Sequence, residues 1–223
     1  VTEPGFDPDY QAGLYSIQGQ SSMLAAEAVQ ARPGMKILDA CAAPGGKSTG
    51  IAARMQGQGL LVSNEIIPGR AKILSQNVER MGITNALVCN ESPERIASHF
   101  PLFFDRIVVD APCSGEGMFR KDVGAISEWS PENVTLCKER QEMILAYADA
   151  MLKPGGVLVY STCTVNDKEN QAQVEKFLSA NPDFHVVLPK TAVPGADITP
   201  LGTLFLPHRT GTDGFFAAIL ERN

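Results

Sequence analysis

Two cysteines in this sequence stand where thiol chemistry could take place. Cys113 lies in Asp110–Gly115 (DAPCSG) and Cys163 in Ser161–Thr164 (STCT), and each segment directly follows a short β-branched run. The carboxyl ends of parallel strands share one edge of a sheet, where ligands bind. A free cysteine is often only a small hydrophobic residue of the core. The hydroxyl and glycine neighbours of Cys113 and Cys163 favour a nucleophilic role, while a packing role stays open for each.

A carboxyl group close to the first thiol widens the chemistry available. Asp110 ends its predicted strand, and Pro112 fixes one backbone angle, so Asp110 and Cys113 keep a set geometry. A thiolate that adds to carbon 6 of a cytosine makes carbon 5 nucleophilic enough to accept a methyl group. A carboxyl group near the N3–N4 edge would stabilise the electron-rich ring, and a second thiol or a water could then act as base. The residues therefore suit carbon-5 methylation of cytosine.

A loop of small residues follows the first predicted strand and indicates a cofactor site. Leu38–Ser48 (LDACAAPGGKS) leads into a helix, so the glycines allow close approach and the helix N–H groups stand free. The loop matches neither G-x-G-x-x-G nor the phosphate loop, since no glycine precedes Gly46 by five positions, and this weakens an NAD or ATP assignment. Glu65 ends the next strand, where a carboxylate can accept both ribose hydroxyls. A turn that serves packing alone remains the alternative.

Strand-like and helix-like segments alternate along the chain. β-branched runs predict strands at Lys36–Ala40, Leu60–Asn64, Ala86–Asn90, Arg106–Asp110 and Val157–Ser161, with a last strand at Phe215–Leu220 that pairs with one near Phe184–Leu188. Helical periodicity predicts helices over Ser21–Ala31, Pro68–Met81, Glu139–Met151 and Lys168–Ala180, and Pro189–Thr212 is predicted to be a loop. The alternation predicts an α/β fold with a mostly parallel sheet and helices on both faces.

The composition is that of an ordinary globular protein. Of the 223 residues 44% are hydrophobic and 20% charged, and no apolar run approaches the ~18 residues of a membrane helix. Five cysteines without a C-x-x-C pair disfavour disulfides and a zinc site and favour a reduced, cytoplasmic setting. The net charge of −6 argues against nucleic-acid binding through the overall charge. Local basic pairs such as Arg120 and Lys121 remain candidates.

Taken together, the motifs resemble those of the RNA 5-methylcytosine methyltransferases, the Nop2/Sun family. Asp39–Lys47 (DACAAPGGK) resembles its S-adenosylmethionine loop, DAPCSG its fourth motif and STCT its sixth. Tyr15–Met23 and Pro207–Phe216 resemble the flanking motifs, and Glu116–Lys121 (EGMFRK) is most similar to the bacterial 16S rRNA branch. The motifs follow the family's order over nearly the whole chain, so the combination is far more specific than a single short pattern.

The resemblance implies a fold, a cofactor and a role for each motif residue. It implies a Rossmann-like class I methyltransferase with a seven-stranded sheet and S-adenosylmethionine as methyl donor. Cys163 would attack carbon 6, and Cys113 would assist product release. Asp110 would contact the base and the cofactor region, and Lys47 would line the site. The expected cofactor-binding residues are Cys41, Ala42, Ala43, Pro44, Gly45, Gly46, Lys47, Glu65, Arg70 and Asp110, with Asn90 or Ser92 in place of the acid that the family commonly carries near the adenine.

The resemblance also implies a domain organisation and a substrate class. Residues 1–223 would form one catalytic domain with a lead-in over about 1–30, and the family's RNA-binding extensions are expected outside this sequence. RNA is the expected partner, with rRNA preferred and tRNA as the alternative, in a cytoplasmic monomer without a metal. Two other interpretations stay open. One is a degenerate methyltransferase fold without turnover, and the other a nucleotide-dependent oxidoreductase, which the missing G-x-G-x-x-G disfavours.

Overall fold

A single mixed sheet forms the centre of the computed structural model, which describes residues 4–189 and 193–223. Five strands pair in parallel in the order β3-β2-β1-β4-β5, namely β1 (Lys36–Asp39), β2 (Leu60–Asn64), β3 (Ala86–Cys89), β4 (Phe104–Asp110) and β5 (Leu152–Thr162). The antiparallel extension consists of β6 (Phe184–Val186), β7 (Asp197–Thr199), β8 (Gly202–Phe205) and β9 (Phe215–Arg222). β9 pairs with β5 on one side and with β8 and β6 on the other, and β7 pairs with β8.

The helices of the described residues lie between and around these strands. They are α1 (Pro8–Gln11), α2 (Gln20–Ala28), α3 (Gly46–Met55), α4 (Pro68–Arg80), α5 (Pro93–His99), α6 (Val123–Glu128), α7 (Pro131–Met151), α8 (Gln171–Ala180) and α9 (Pro207–Thr210). Several begin with proline, whose fixed φ suits the first helical turn. Short 3-10 turns follow at Glu116–Met118 and Asp167–Glu169.

Both faces of the parallel strands are buried, which explains their nearly continuous apolar sequence. Leu38 of β1 and Ile107 of β4 pack with residues of α5, α7 and α8. Their neighbours Ile37 and Val108 point to the opposite face and pack with residues of α2 and α3. Ala25 of α2 is fully buried, so this helix of the predicted lead-in belongs to the core, whereas Phe6 and Leu14 before it are exposed. The sheet is therefore held rigidly between two helical layers.

The predicted α/β architecture is confirmed, while the number of strands is larger than expected. The described residues form nine strands rather than seven, with four parallel and four antiparallel ladders. The segment Pro189–Thr212, predicted to be a loop, contains β7, β8 and α9. Asp197 pairs with Leu204 across the β7–β8 hairpin, whose two-residue turn left little sequence signal. The expected partnership of the last strand with a strand near Phe184–Leu188 is confirmed.

Helix boundaries differ from the prediction where a cap was overlooked. α7 begins at Pro131 rather than at Glu139, because the Ser130 hydroxyl accepts the Asn133 N–H at 3.0 Å. The other shifted elements are α2 at Gln20–Ala28, α8 at Gln171–Ala180 and β5 at Leu152–Thr162. Residues 1–3 of the predicted lead-in and 190–192 of the predicted loop lie outside the described residues. Among the described residues, no helix combines the length and apolarity needed to cross a membrane.

Replacement of Phe104 by alanine should destabilise the protein strongly. Phe104 is fully buried at the start of β4 and packs its ring against Phe100 and Phe103, with centroids 5.5 and 5.2 Å away. The cavity left by Phe104→Ala is expected to lower the free energy of unfolding by about 3–5 kcal/mol. Urea denaturation measures this loss. The matched control is Phe6→Ala, since Phe6 is 83% exposed and should change stability by less than about 0.5 kcal/mol.

Candidate active site

The register between β4 and β5 brings the two predicted thiols together. Asp110 at the end of β4 pairs with Ser161 near the end of β5, so the loops that follow leave the sheet side by side. The sulfur atoms of Cys113 and Cys163 lie 3.2 Å apart, within hydrogen-bond distance. Neither cysteine forms a disulfide. The two loops are joined again by a 3.1 Å hydrogen bond between the Ser114 and Thr164 hydroxyls.

The two thiols are not equivalent, because one of them stabilises the charge of the other. The hydrogen bond from Cys113 lowers the pKa of Cys163, against the opposing effects of burial and of Asp110, and Lys47 lowers it further. The same hydrogen bond, together with burial and the charge on Cys163, raises the pKa of Cys113. Cys163 is therefore the more acidic thiol of the pair, and Cys113 the one that holds its proton more tightly. A thiolate is the nucleophilic form of cysteine.

Asp110 is held by hydrogen bonds to both of its carboxylate oxygens. Lys47 Nζ lies 2.6 Å from Oδ2, and the Ser161 hydroxyl donates to Oδ1 at 2.8 Å. Lys47 also donates to the Ser22 hydroxyl at 2.8 Å, and its side chain is only 9% exposed. A charge-assisted bond in a nearly buried position fixes both partners. The carboxylate is thus oriented beside the thiols rather than mobile.

A cavity of about 630 Å³ opens at this edge of the sheet and includes both thiols. Its polar lining consists of Cys41, Asn64, Glu65, Arg70, Asp110, Cys113, Arg140 and Cys163, and its apolar lining includes Ile66, Ile67, Pro68, Pro93, Met143 and Ile144. A pocket with apolar walls and a few convergent polar groups is typical of a small-molecule site. A second groove of about 450 Å³, near Arg32 and Lys153, contains none of the predicted site residues.

Glu65 is the buried carboxylate of this cavity. Its side chain is 4% exposed, Oε1 accepts the N–H of Ile67 at 3.0 Å, and Oε2 lies 3.4 Å from the Arg70 guanidinium. Arg70 also donates to the Ala43 carbonyl at 2.9 Å. Arg70 therefore ties the carboxylate to the glycine loop. The arrangement leaves Glu65 able to accept hydrogen bonds from hydroxyl groups inside the cavity.

The predicted cofactor loop is placed beside the cavity, but only part of it forms the wall. Cys41 and Ala43 line the cavity, whereas Ala42, Pro44, Gly45, Gly46 and Lys47 stand behind the wall or at its side. Gly45 has φ +115°, and a side chain there would meet Leu74 at 3.2 Å. Asp39, fully buried at the start of the loop, accepts from Ser48 at 2.8 Å. Burial raises the pKa of Asp39 to about 7, against the effects of Ser48 and Lys47.

The two candidates after the third strand have structural partners instead of a place in the cavity wall. Asn90 donates its amide to the Glu65 carbonyl at 2.6 Å. The Ser92 hydroxyl accepts the Arg95 N–H at 3.3 Å and caps α5. Pro93, directly after Ser92, is the residue of this segment that lines the cavity. The sequence signal available for Pro93 was a proline at a helix start soon after the third strand.

The segment Glu116–Lys121, which resembles the bacterial 16S rRNA branch of the family, contacts the backbone of Cys163. Gly117 N–H donates to the Cys163 carbonyl at 3.0 Å, and a side chain at Gly117 would lie 2.1 Å from the carbonyl oxygen of Gly214. Only glycine fits this approach. Lys121 pairs with Asp213 at 2.7 Å, while both cations of the predicted basic pair remain more than half exposed.

The sequence prediction missed several residues of this edge. Asn64, Ile66, Ile67, Met143, Ile144 and Arg140 line the cavity, and Gln141, Glu169 and Asn170 bond to the cysteine loops. The position of Ile66 and Ile67 directly after Glu65 was a usable signal, because the chain leaves the sheet there. The residues of α7 carried none, since their place in the site depends on the packing of a helix far away in sequence.

Comparison with known proteins agrees with the resemblance in the motifs. Residues 26–221 match the model of a family described as 16S rRNA methyltransferase RsmB/F. Ribosomal RNA small subunit methyltransferase F of Aeromonas salmonicida is 42% identical over 98% of this chain, and that of Serratia proteamaculans 40% identical over 98%. The chain spans about half the length of these relatives, 48% and 47% respectively.

A solved structure supports the same fold. NSun6 from Pyrococcus horikoshii, solved with SFG, superposes with a TM-score of 0.87 at 26% identity, over 98% of this chain and 56% of that one. The expected Rossmann-like methyltransferase fold is thereby confirmed.

Removal of the Cys113 thiol should make Cys163 less acidic. Cys113→Ala deletes the hydrogen bond that contributes most to the lowered pKa of Cys163. The midpoint for alkylation of Cys163 by iodoacetamide, followed by peptide mass spectrometry, should shift to higher pH, because only the thiolate reacts. Cys89→Ala is the matched control, since that half-buried thiol has no contact with the pair. An unchanged or lower midpoint in Cys113→Ala would contradict the assignment of the charge to Cys163.

Proposed function

Because the chain belongs to the RsmB/F family of 16S rRNA methyltransferases, we propose that it methylates carbon 5 of a cytosine in small-subunit ribosomal RNA, with S-adenosylmethionine as methyl donor. The observation that carries this proposal is the thiol pair of Cys113 and Cys163, with sulfur atoms 3.2 Å apart and a lowered pKa at Cys163, at the wall of the same cavity as Asp110 and Glu65. A simple methyl transfer to an oxygen or nitrogen needs no thiolate.

The cavity suits S-adenosylmethionine in size and in the chemistry of its donors. Its volume of about 630 Å³ is in the range of small-molecule pockets. The buried Glu65 carboxylate would accept the ribose hydroxyls, and the apolar walls at Ile66, Pro93 and Ile144 would cover the adenine. When bound, the cofactor supplies an electrophilic methyl group on a sulfonium. Arg70 contributes by holding Glu65 and the Ala43 carbonyl in place.

Cys163 would begin the reaction on the cytosine. Its thiolate adds to carbon 6, so a sulfur–carbon bond forms and the electrons of the ring double bond move toward N3 and the carbonyl. Asp110 lines the cavity with its orientation fixed by Lys47 and Ser161. It would accept a hydrogen bond from the N4 amino group of the base and so hold the ring beside Cys163. Lys47 keeps the carboxylate in position and stabilises the thiolate.

The coupling of the two thiols gives Cys113 a role in product release. The charge and the hydrogen bond of Cys163 raise the pKa of Cys113 in the free protein. Once the Cys163 sulfur is bonded to carbon 6, it no longer carries that charge, so the pKa of Cys113 falls. Cys113 would then lose its own proton to water, and, after carbon 5 has taken the methyl group, the Cys113 thiolate would accept the proton from carbon 5. The electron pair of that bond restores the ring double bond and expels Cys163 as a thiolate.

The domain, substrate and location follow as parts of the same proposal. Residues 1–223 are proposed as one catalytic domain, since the family match covers residues 26–221 and the core clusters of the described residues lie on the two faces of one sheet. Arg140 at the cavity wall and the exposed cations Arg120 and Lys121 would contact RNA phosphates. A cytoplasmic location is proposed, because that is where bacterial ribosomal RNA is found.

Loss of the Glu65 carboxylate should weaken cofactor binding. Glu65→Ala removes a charged acceptor from the cavity, and affinity for S-adenosylhomocysteine should fall about 10- to 100-fold, as expected for a hydrogen bond to a charged group. Isothermal titration calorimetry measures the affinity. Glu91→Ala is the control, because Glu91 pairs with Arg95 outside the cavity. Equal affinity in Glu65→Ala and wild type would sink the assignment of the ribose site.

Loss of Cys163 and loss of Cys113 should block different steps of the reaction. With tritiated S-adenosylmethionine and small-subunit rRNA, free or in assembled subunits, Cys163→Ala should transfer no label. Cys113→Ala should attack and then release slowly, so a covalent protein–RNA adduct should appear as a retarded band on a denaturing gel.

Cys89→Ala should methylate like the wild type, since Cys89 is outside the cavity. Label transfer by Cys163→Ala would reject that residue as nucleophile. A Cys113→Ala variant that turns over at the wild-type rate without adduct would reject the release role.

A further inference from the structure

A buried turn between β5 and α8 contacts the loops of both cysteines. The 3-10 turn Asp167–Glu169 is followed by Asn170, and the side chains of Glu169 and Asn170 are fully buried. An acidic residue is almost never fully buried unless it is paired or hydrogen-bonded. The Tyr160 hydroxyl of β5 donates to the Glu169 carbonyl at 2.6 Å and anchors the turn to the sheet. Neither residue lines the cavity that contains the thiols.

Glu169 holds the backbone around Cys113. Its Oε2 accepts the N–H of Ser114, the residue after Cys113, at 3.0 Å. The same oxygen accepts the amide of Gln141 at 2.9 Å, and that amide also donates to the carbonyl of Pro112, the residue before Cys113, at 3.0 Å. Gln141 is fully buried in α7. Glu169 and Gln141 therefore fix the peptide groups on both sides of Cys113.

Asn170 holds the residues around Cys163 in the same manner. Its Oδ1 accepts the hydroxyl of Thr162, the residue before Cys163, at 2.6 Å. Its amide donates to the carbonyl of Thr164, the residue after Cys163, at 3.1 Å. Thr162 and Thr164 are themselves fully buried. Two consecutive residues of the turn thus each secure a different cysteine loop.

We propose that Glu169 and Asn170 are positioning residues that place the two thiols separately, Glu169 acting on Cys113 and Asn170 on Cys163. The inference rests on the proposed function, in which Cys163 attacks and Cys113 assists release. Displacement of a reacting group by about 1 Å can cost 10²-fold in rate. Since the two loops have different anchors in one turn, a change at either anchor should affect one step of the reaction more than the other.

The test compares single-turnover kinetics of the two variants with RNA and S-adenosylmethionine. Glu169→Ala leaves the Ser114 N–H without its acceptor, so release should slow by at least about tenfold and the covalent adduct should accumulate. Asn170→Ala frees the Cys163 loop, so attack should slow by at least about tenfold and no adduct should accumulate. Quantitative denaturing gels measure adduct and product over time.

Conservative variants separate positioning from general loss of structure. Glu169→Gln keeps an acceptor oxygen for the Ser114 N–H and should restore most of the release rate. Asn170→Asp keeps the acceptor for Thr162 but loses the donor for Thr164, so attack should stay slow. Asp167→Asn, an exposed change in the same turn, should leave both steps at wild-type rates. Thermal unfolding and affinity for S-adenosylhomocysteine report on whether each variant is folded.

The outcomes distinguish this inference from the proposed function. If the wild type transfers no methyl group to RNA, the proposed function fails. If the wild type is active and the folded variants slow both steps equally, or neither, the positioning roles are rejected. A readout without RNA applies to the same variants, namely the alkylation rates of the two thiols. Glu169→Ala should alter the rate at Cys113 more than at Cys163, and Asn170→Ala the reverse. Equal effects at both thiols would overturn the inference.

Discussion

The parallel pairing of β4 with β5 is the constraint on which the site depends. Because Asp110 lies opposite Ser161, the chain leaves both strands at the same level, and the two thiols meet at 3.2 Å. The pairing is fixed by burial on both faces, since a shift of one residue would turn every core side chain of the strand to the opposite face. The stability of the core and the geometry of the thiols are thus set by the same register.

The pKa values of the two thiols depend on charged groups that are largely buried beside them. Lys47 is nearly buried and pairs with Asp110, and the two charges act on the pKa of Cys163 in opposite directions, Asp110 raising it and Lys47 lowering it. Within the thiol pair, the hydrogen bond lowers the pKa of Cys163 and raises the pKa of Cys113, which makes Cys163 the more acidic member. In the proposed reaction, bonding of the first sulfur to the base reverses this preference. The same pair of groups can therefore act first as nucleophile and then as base.

The sequence predicted most of the elements that have strong local signals. The five central strands and the loops of Cys113 and Cys163 were placed from β-branched runs and from the residues that follow them, and the structure brings these loops together. The strand hairpin within 197–205 was missed, because its strands are only three and four residues long and lie in a segment rich in Pro, Gly and Thr, which resembles a loop. The start of α7 at the Ser130 cap was missed, although Pro131 directly after the cap and the buried Val134 were usable signals.

The part of the site that could not be predicted depends on contacts between distant segments. In sequence, Glu169 and Asn170 follow an acidic and a basic residue and look like an exposed helix start. Their burial arises only after α7 packs against the sheet and supplies Gln141, 28 residues before Glu169. Arg140 and Met143 reach the cavity for the same reason. Local patterns identify the reactive groups, whereas their supports come from the assembled fold.

The attack of Cys163 on carbon 6 of the cytosine is measured most directly with RNA that contains 5-fluorocytidine. After attack at carbon 6 and methyl transfer, the fluorine at carbon 5 cannot leave as a proton does, so the bond between enzyme and base persists. Proteolysis and mass spectrometry of the complex then identify the linked residue. The proposed mechanism predicts a methylated fluorocytosine bonded to the sulfur of Cys163. A bond at Cys113, or turnover of wild-type enzyme without any covalent link, would contradict it.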